Sequence, residues 1–206
     1  MRSMEPTPFH KTPRYERMEA IAGEFEDSSF LTVVPRGGKV RAVLEDPPFD
    51  AVKNGFAESE AAPAKAMIVG AGGRGYDDSL SSALRCVWGA LPGLRKSGTL
   101  LLLAECSEGL GSTALEMLAT GRLTEGDKGP GRQVDGIEEV FYLNKLRDEY
   151  DVLLLSGLPE SYAKQRLGLA TAKGSGEAVG RLLNKLGRTG KAAVVTRAAE
   201  SRLRPA

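Results

Sequence analysis

Most of the side chains in this chain that could do chemistry sit in or beside two glycine-rich runs, Gly70–Gly75 and Glu105–Gly111. Gly70-Ala71-Gly72-Gly73-Arg74-Gly75 has the spacing G-x-G-x-x-G. That pattern cradles a pyrophosphate when a helix starts inside it and turns its first amides toward the ligand. Here Tyr76-Asp77-Asp78 follows, placing two carboxylates where phosphates would sit. Like charges repel, so a tight glycine turn is preferred over a nicotinamide-dinucleotide site. Asp77, Asp78, Glu105 and Glu108 could instead divide acid and base roles between them, as paired carboxylates do. The plainer alternative is that Asp77 or Asp78 caps the following helix and that Glu108 is solvated.

Cys106 lies in the second run, just before a helix start that could acidify a thiol. A nucleophilic cysteine needs a base, and the single histidine, His10, stands in the leader. Cys106 therefore reads as a packing residue. A Ser-His-Asp triad would need the same histidine, and two cysteines with one distant histidine lack the spacing of a zinc site. No catalytic residue and no metal ligand is assigned on these grounds. Cys86 and Cys106 are expected to be reduced thiols in a cytoplasmic protein.

Strands and helices of the right order must position these loops. Apolar runs Ala66–Val69, Thr99–Leu103, Val152–Leu155 and Ala192–Thr196 read as strands. They are apolar throughout, as expected when helices cover both faces of a parallel sheet. Between them, Leu80, Ala83, Leu84, Val87, Trp88, Leu91 and Leu94 form a 3.6-residue stripe. Further helices are expected over Thr113–Ala119, Ile137–Tyr150 and Gly176–Leu186. The stripe of the second buries Ile137, Val140, Phe141 and Leu146. That of the third buries Ala178, Val179, Leu182, Leu183 and Leu186. Upstream, a helix over Arg14–Phe25, a hairpin of Phe30–Val34 and Val40–Leu44 turning at Gly37-Gly38, and a short helix over Phe49–Phe56 precede a linker at Glu58–Ala64. The expected fold is α/β: a mostly parallel sheet with flanking helices, preceded by an N-terminal helix and β-hairpin. Residues 1–13 form a flexible leader, 14–200 a single α/β domain and 201–206 a basic tail. Ligands of such sheets sit beyond the carboxyl ends of the strands, which selects Gly70–Asp78, Ala104–Gly111, Ser156–Glu160 and the residues after Thr196. The polar stretch Gly121–Gly136 reads either as a lid or as a solvent loop.

Composition narrows the function classes. A net charge of +1 lacks the basic excess of a nucleic-acid protein, and the basic residues near the end have no aromatic partners for base stacking. The longest apolar run, Thr99–Ala104, is far short of the roughly 20 residues that span a bilayer, so neither nucleic acid nor membrane is expected as a partner.

The motifs carry a resemblance. Ile68-Val69-Gly70-Ala71-Gly72-Gly73, Asp78-Ser79-Leu80, Ala83, Ser97-Gly98-Thr99 and Ala104-Glu105-Cys106-Ser107-Glu108-Gly109-Leu110-Gly111 together resemble the C-terminal domain of nickel-pincer lactate racemases and related 2-hydroxyacid racemases and epimerases. The resemblance extends over nearly the whole chain. It implies an active site in a cleft between two domains, with Ser81, Ser82, Arg85 and Asp78 facing the substrate and the loops holding Gly72, Gly73, Glu105, Cys106, Gly109 and Gly111 beside the cofactor. The family shows a tyrosine, a polar residue and a lysine where this chain has Ser81, Ser82 and Arg85. Val134 stands where a tryptophan is common. Arg85 keeps a charge able to hold a carboxylate bidentately.

In that family the N-terminal domain brings the catalytic histidines, the tethering lysine and most of the hold on the nickel-pincer nucleotide. This chain shows no segment corresponding to it. The expectation is a stand-alone C-terminal domain or subunit that binds no cofactor alone and works with a separate N-terminal catalytic subunit. A homo-oligomer is compatible with this. The alternatives are a non-catalytic module for a small carboxylate, a truncated or decayed remnant, and a nicotinamide-dinucleotide protein.

Overall fold

A computed structural model describes residues 16–17, 20–21, 23–24, 30–36, 39–46, 57–123, 134–187 and 190–205. The leader with His10, the hairpin turn at Gly37-Gly38, the helix expected over 49–56 and most of the polar stretch 121–136 lie outside these residues. The chain divides into two compact units, residues 1–58 and 59–206. In the first, β1 (Phe30–Arg36) and β2 (Lys39–Asp46) pair antiparallel, with Val33 opposite Val43 and a register shift between Val34 and Pro35.

The second unit is built on five parallel strands: β4 (Ala64–Gly70), β5 (Leu94–Leu103), β6 (Asp151–Leu155), β7 (Ala170–Thr171) and β8 (Ala192–Val195). Their spatial order is β7-β6-β5-β4-β8, so the chain reverses its direction of travel across the sheet at β4. The middle residues of β4, β5 and β6 are apolar because these strands serve two cores. Met67, Val69, Leu100, Leu102, Val152 and Leu154 face α1 (Leu80–Val87), α2 (Thr113–Ala119) and α3 (Ile137–Glu149). Their neighbours Ala66, Leu101 and Leu153 face Ala178 and Leu182 of α4 (Ser175–Leu186). Period-two alternation thus supplies both faces at once. Each fully buried leucine contributes roughly 1.5–3 kcal/mol relative to exposure.

Several expectations need correction. The stripe running to Leu94 does not belong to one helix: α1 stops at Val87, and Pro92 sits in a 3₁₀ turn that leads into β5 at Leu94. Residues 95–98 have no partner on β4, since Ala64 pairs with Leu94 and Ala66 with Thr99. Ser97 there takes a positive φ of 60°. In α4 the stripe is narrower than expected: among the described residues it is the helix packed on that face of the sheet, and Val179 and Leu183 on its outer side are 38% and 54% exposed. The linker expected at Glu58–Ala64 is instead β3 (Ala57–Ala61) leading into β4, and the tail expected from Ser201 is β9 (Ser201–Pro205). The two pair as a second small sheet. Before β7 the chain makes one wide helical turn, Ser161–Arg166.

Candidate functional site

The reversal between β4 and β8 opens a crevice at the carboxyl ends of the strands, where ligands of such sheets bind. An open depression of about 430 Å³ lies there, lined by Gly70–Gly73, Asp77, Leu103–Glu105, Leu155–Gly157 and Thr196. All four expected loops therefore meet. Backbone hydrogen bonds lace them together: Cys106 donates to the carbonyl of Asp77 and Glu108 to that of Asp78, both at 2.7 Å. Gly157 donates to the carbonyl of Glu105 at 2.8 Å, and Ala199 to that of Ala71 at 2.9 Å. Gly70 must be glycine, since a Cβ would stand 2.9 Å from the Thr196 carbonyl oxygen.

The crevice does not suit a pyrophosphate. Helix α1 begins at Leu80, well past the glycine run, and its N-cap is Ser79 rather than Asp77 or Asp78. Ser79 Oγ accepts from the Ser82 amide, while the amides of Leu80 and Ser81 donate to the carbonyls of Gly109 and Leu110 at 3.0 Å each. The first-turn donors are thereby spent, and Asp77 and Glu105 line the cavity with negative charge. Asp78 is also engaged, its Oδ2 accepting from the Gly75 amide at 2.8 Å.

Gly72 and Gly73 line the crevice together with Glu105, whereas Cys106, Gly109 and Gly111 do not. Cys106 is buried in the core. Burial, with Asp77 and Glu105 nearby, pushes its thiol up to about 12. Burial and Asp77 likewise push Cys86 up to about 11. Both are protonated at neutral pH, opposite to an activated nucleophile. Gly111 has a φ of 77°, and a Cβ there would overlap Ser79 Oγ.

Ser81, Ser82 and Arg85 do not line this crevice. Ser81 and Arg85 instead meet a residue the sequence did not single out, Glu139 in the first turn of α3, while Ser82 bonds to Ser79. Its carboxylate is fully buried, at 0% exposure. Its Oε1 accepts from Ser81 Oγ at 3.0 Å, from Arg85 Nε at 2.7 Å and from Arg85 Nη2. The hydrogen bond to Glu139 raises the guanidinium pKa above its ordinary value, with Glu138 and Asp135 adding to the effect. Ser79 Oγ donates to Ser82 Oγ at 3.1 Å. Gly136, the N-cap of α3, is left-handed with φ 76°, and a Cβ on it would overlap both Glu139 Oε2 and Ser112, the N-cap of α2. The starts of three helices thus meet at one buried carboxylate, and a position in the first turn favours negative charge there. The available sequence signal was Asp135-Gly136 followed three residues later by Glu139, a helix-start pattern with an acid at its third position.

Among the described residues no three of His, Cys, Asp and Glu gather as a metal site, and none of the described helices is long and apolar enough to cross a membrane.

No protein-family model matches the sequence, and no curated protein matches it. A solved structure does match the fold: the lactate racemase apoprotein from Thermoanaerobacterium thermosaccharolyticum, with a TM-score of 0.78 and 18% identity over 95% of this chain and 50% of that one. The chain therefore has a lactate-racemase-like fold and spans about half the length of the protein it matches.

Proposed function

We propose that this chain is the C-terminal half of a lactate-racemase-like 2-hydroxyacid racemase or epimerase and forms one wall of its cleft. The other half would come from a histidine-bearing N-terminal domain, on a separate subunit or elsewhere in the same polypeptide. The observation that carries this is the fold match over 95% of this chain but only 50% of the lactate racemase. The surface at Ser81, Ser82, Arg85 and Asp78 would face the substrate, with the crevice at Gly72, Gly73 and Glu105 nearby. A bound nickel-pincer nucleotide would supply hydride transfer. It would be held by the other half, and no step of that chemistry is assigned to residues of this chain.

The test is gentle purification of the tagged chain from cells that make it naturally. Associated proteins would be identified, nickel measured, and racemisation of D- and L-2-hydroxyacids assayed. A stoichiometric histidine-bearing partner domain with nickel and activity is expected. Racemisation by this chain alone would overturn the reading, as would an inert, metal-free material without such a domain. The alternative of a carboxylate-binding module predicts binding by the chain alone, abolished in Arg85→Ala.

A further inference from the structure

We propose that Glu139 is the specificity-determining residue of the Ser81–Arg85 site: a built-in carboxylate that fills the place a small carboxylate ligand would take. The inference rests on the proposed function in one respect only, that Arg85 faces the substrate; Ser81 beside it is buried. The geometry is that of an occupied anion site. The Nε and Nη2 donors of Arg85, the edge that grips a carboxylate side-on, both go to Glu139 Oε1, which also takes the Ser81 hydroxyl. Glu139 is completely buried. Its other oxygen, Oε2, is buried without a hydrogen-bond partner among the described residues. Substitution of Gly136 would overlap that oxygen, so the backbone is shaped around the carboxylate.

Charge decides what Arg85 can still receive. The guanidinium is matched by Glu139, and Glu138 adds a second carboxylate at 3.9 Å. Asp135 contributes a further negative field. The local balance is negative, so a second carboxylate entering from solvent meets net repulsion. Yet the Arg85 side chain remains 59% exposed. Its outer end suits a neutral oxygen, the hydroxyl or carbonyl of a substrate. In the assembled enzyme, recognition of the 2-hydroxyacid carboxylate then falls to groups of the other half.

The experiment is chemical rescue on the full chain alone. Glu139→Ala, the wild type and the double variant Arg85→Ala/Glu139→Ala are melted in sodium acetate or formate, against sodium chloride at equal ionic strength. Acetate should raise the Tm of Glu139→Ala by at least about 3 °C, as ligand binding to the folded state does, while leaving the wild type and the double variant unmoved. Equal gains in the wild type or the double variant, or none in Glu139→Ala, overturn the proposal. Should Glu139→Ala fail to fold, Glu139→Ser, which opens the same space but keeps a polar group at the helix start, decides. Calorimetric titration should show at least about tenfold tighter acetate binding than in the wild type, and no gain overturns the proposal. Because the chain is tested alone, failure to find a histidine-bearing partner would sink the racemase reading and leave this result standing.

Discussion

Ser81 Oγ donates a hydrogen bond of 3.0 Å to Oε1 of Glu139, a residue 58 positions further along the chain. It ties the start of α1 to the start of α3, and Arg85 adds a second tie one turn later. Trp88, at the end of α1, and Tyr142, midway along α3, touch with ring centroids 4.5 Å apart. The α1–α3 seam is therefore polar at the helix starts and aromatic further along.

Ser81→Ala should cost about 1.5–3 kcal/mol, the range for a buried hydrogen bond to a charged group. Urea unfolding with an unchanged slope and a lower midpoint would confirm it. A loss below a few tenths would mean that Arg85 alone satisfies Glu139.

The glycines should split by conformation. Gly136→Ala forces a side chain into a left-handed position already crowded by Ser112 and Glu139, and should destabilise by at least about 1 kcal/mol. Gly180, inside α4 with open space where a Cβ would go, should behave oppositely: Gly180→Ala is expected to stabilise by about 0.5–1 kcal/mol. Thermal melts of the two variants, side by side, check both signs.

Cys106 should make stability fall at alkaline pH. Its folded pKa is raised from 9.0 to about 12, chiefly by burial, so below about 9 both states keep the proton and nothing is lost. Above that the unfolded chain ionises first, and stability declines through the window up to about 12. Urea midpoints between pH 8 and 11 should fall less steeply in Cys106→Ala. Native protein at pH 8 should react with a thiol reagent at Cys106 only as fast as it unfolds.

The exposed ion pair of Lys185 with Asp151 is the counterpart of Arg85 with Glu139. Both of its partners are near half exposed, so Lys185→Ala should cost less than about 1 kcal/mol and the cost should shrink in high salt. A larger, salt-insensitive loss would mean that the lysine stem covers the apolar floor beside Leu153 and Leu182, which line the same 300 Å³ hollow.

The parallel sheet was legible because its strands are apolar on both faces and are punctuated by glycine loops at their carboxyl ends. The crevice followed from the same rule, and Gly72, Gly73 and Glu105 do line it. Less legible were elements whose partners lie far away in sequence: β3 reads as polar linker until β9 is placed beside it. The end of α1 was hidden because Leu91 and Leu94 fit the helical period by accident yet are buried from a turn and a strand. Arg85 was singled out through the family resemblance, but what holds it was not. Glu138-Glu139 looks like an ordinary acidic first turn, and only the tertiary meeting with α1 shows that one of the two is buried.

The order β7-β6-β5-β4-β8 also sets a timetable for biosynthesis. Strand β4 gains β5 soon after it leaves the ribosome, but its other edge waits for Ala192–Val195, more than a hundred residues later. Through that interval Ala66–Val69 offers an unpaired apolar edge of the kind that recruits other chains. A translation pause or proteolytic cut before β8 would therefore release an aggregation-prone intermediate, not a slightly weakened domain.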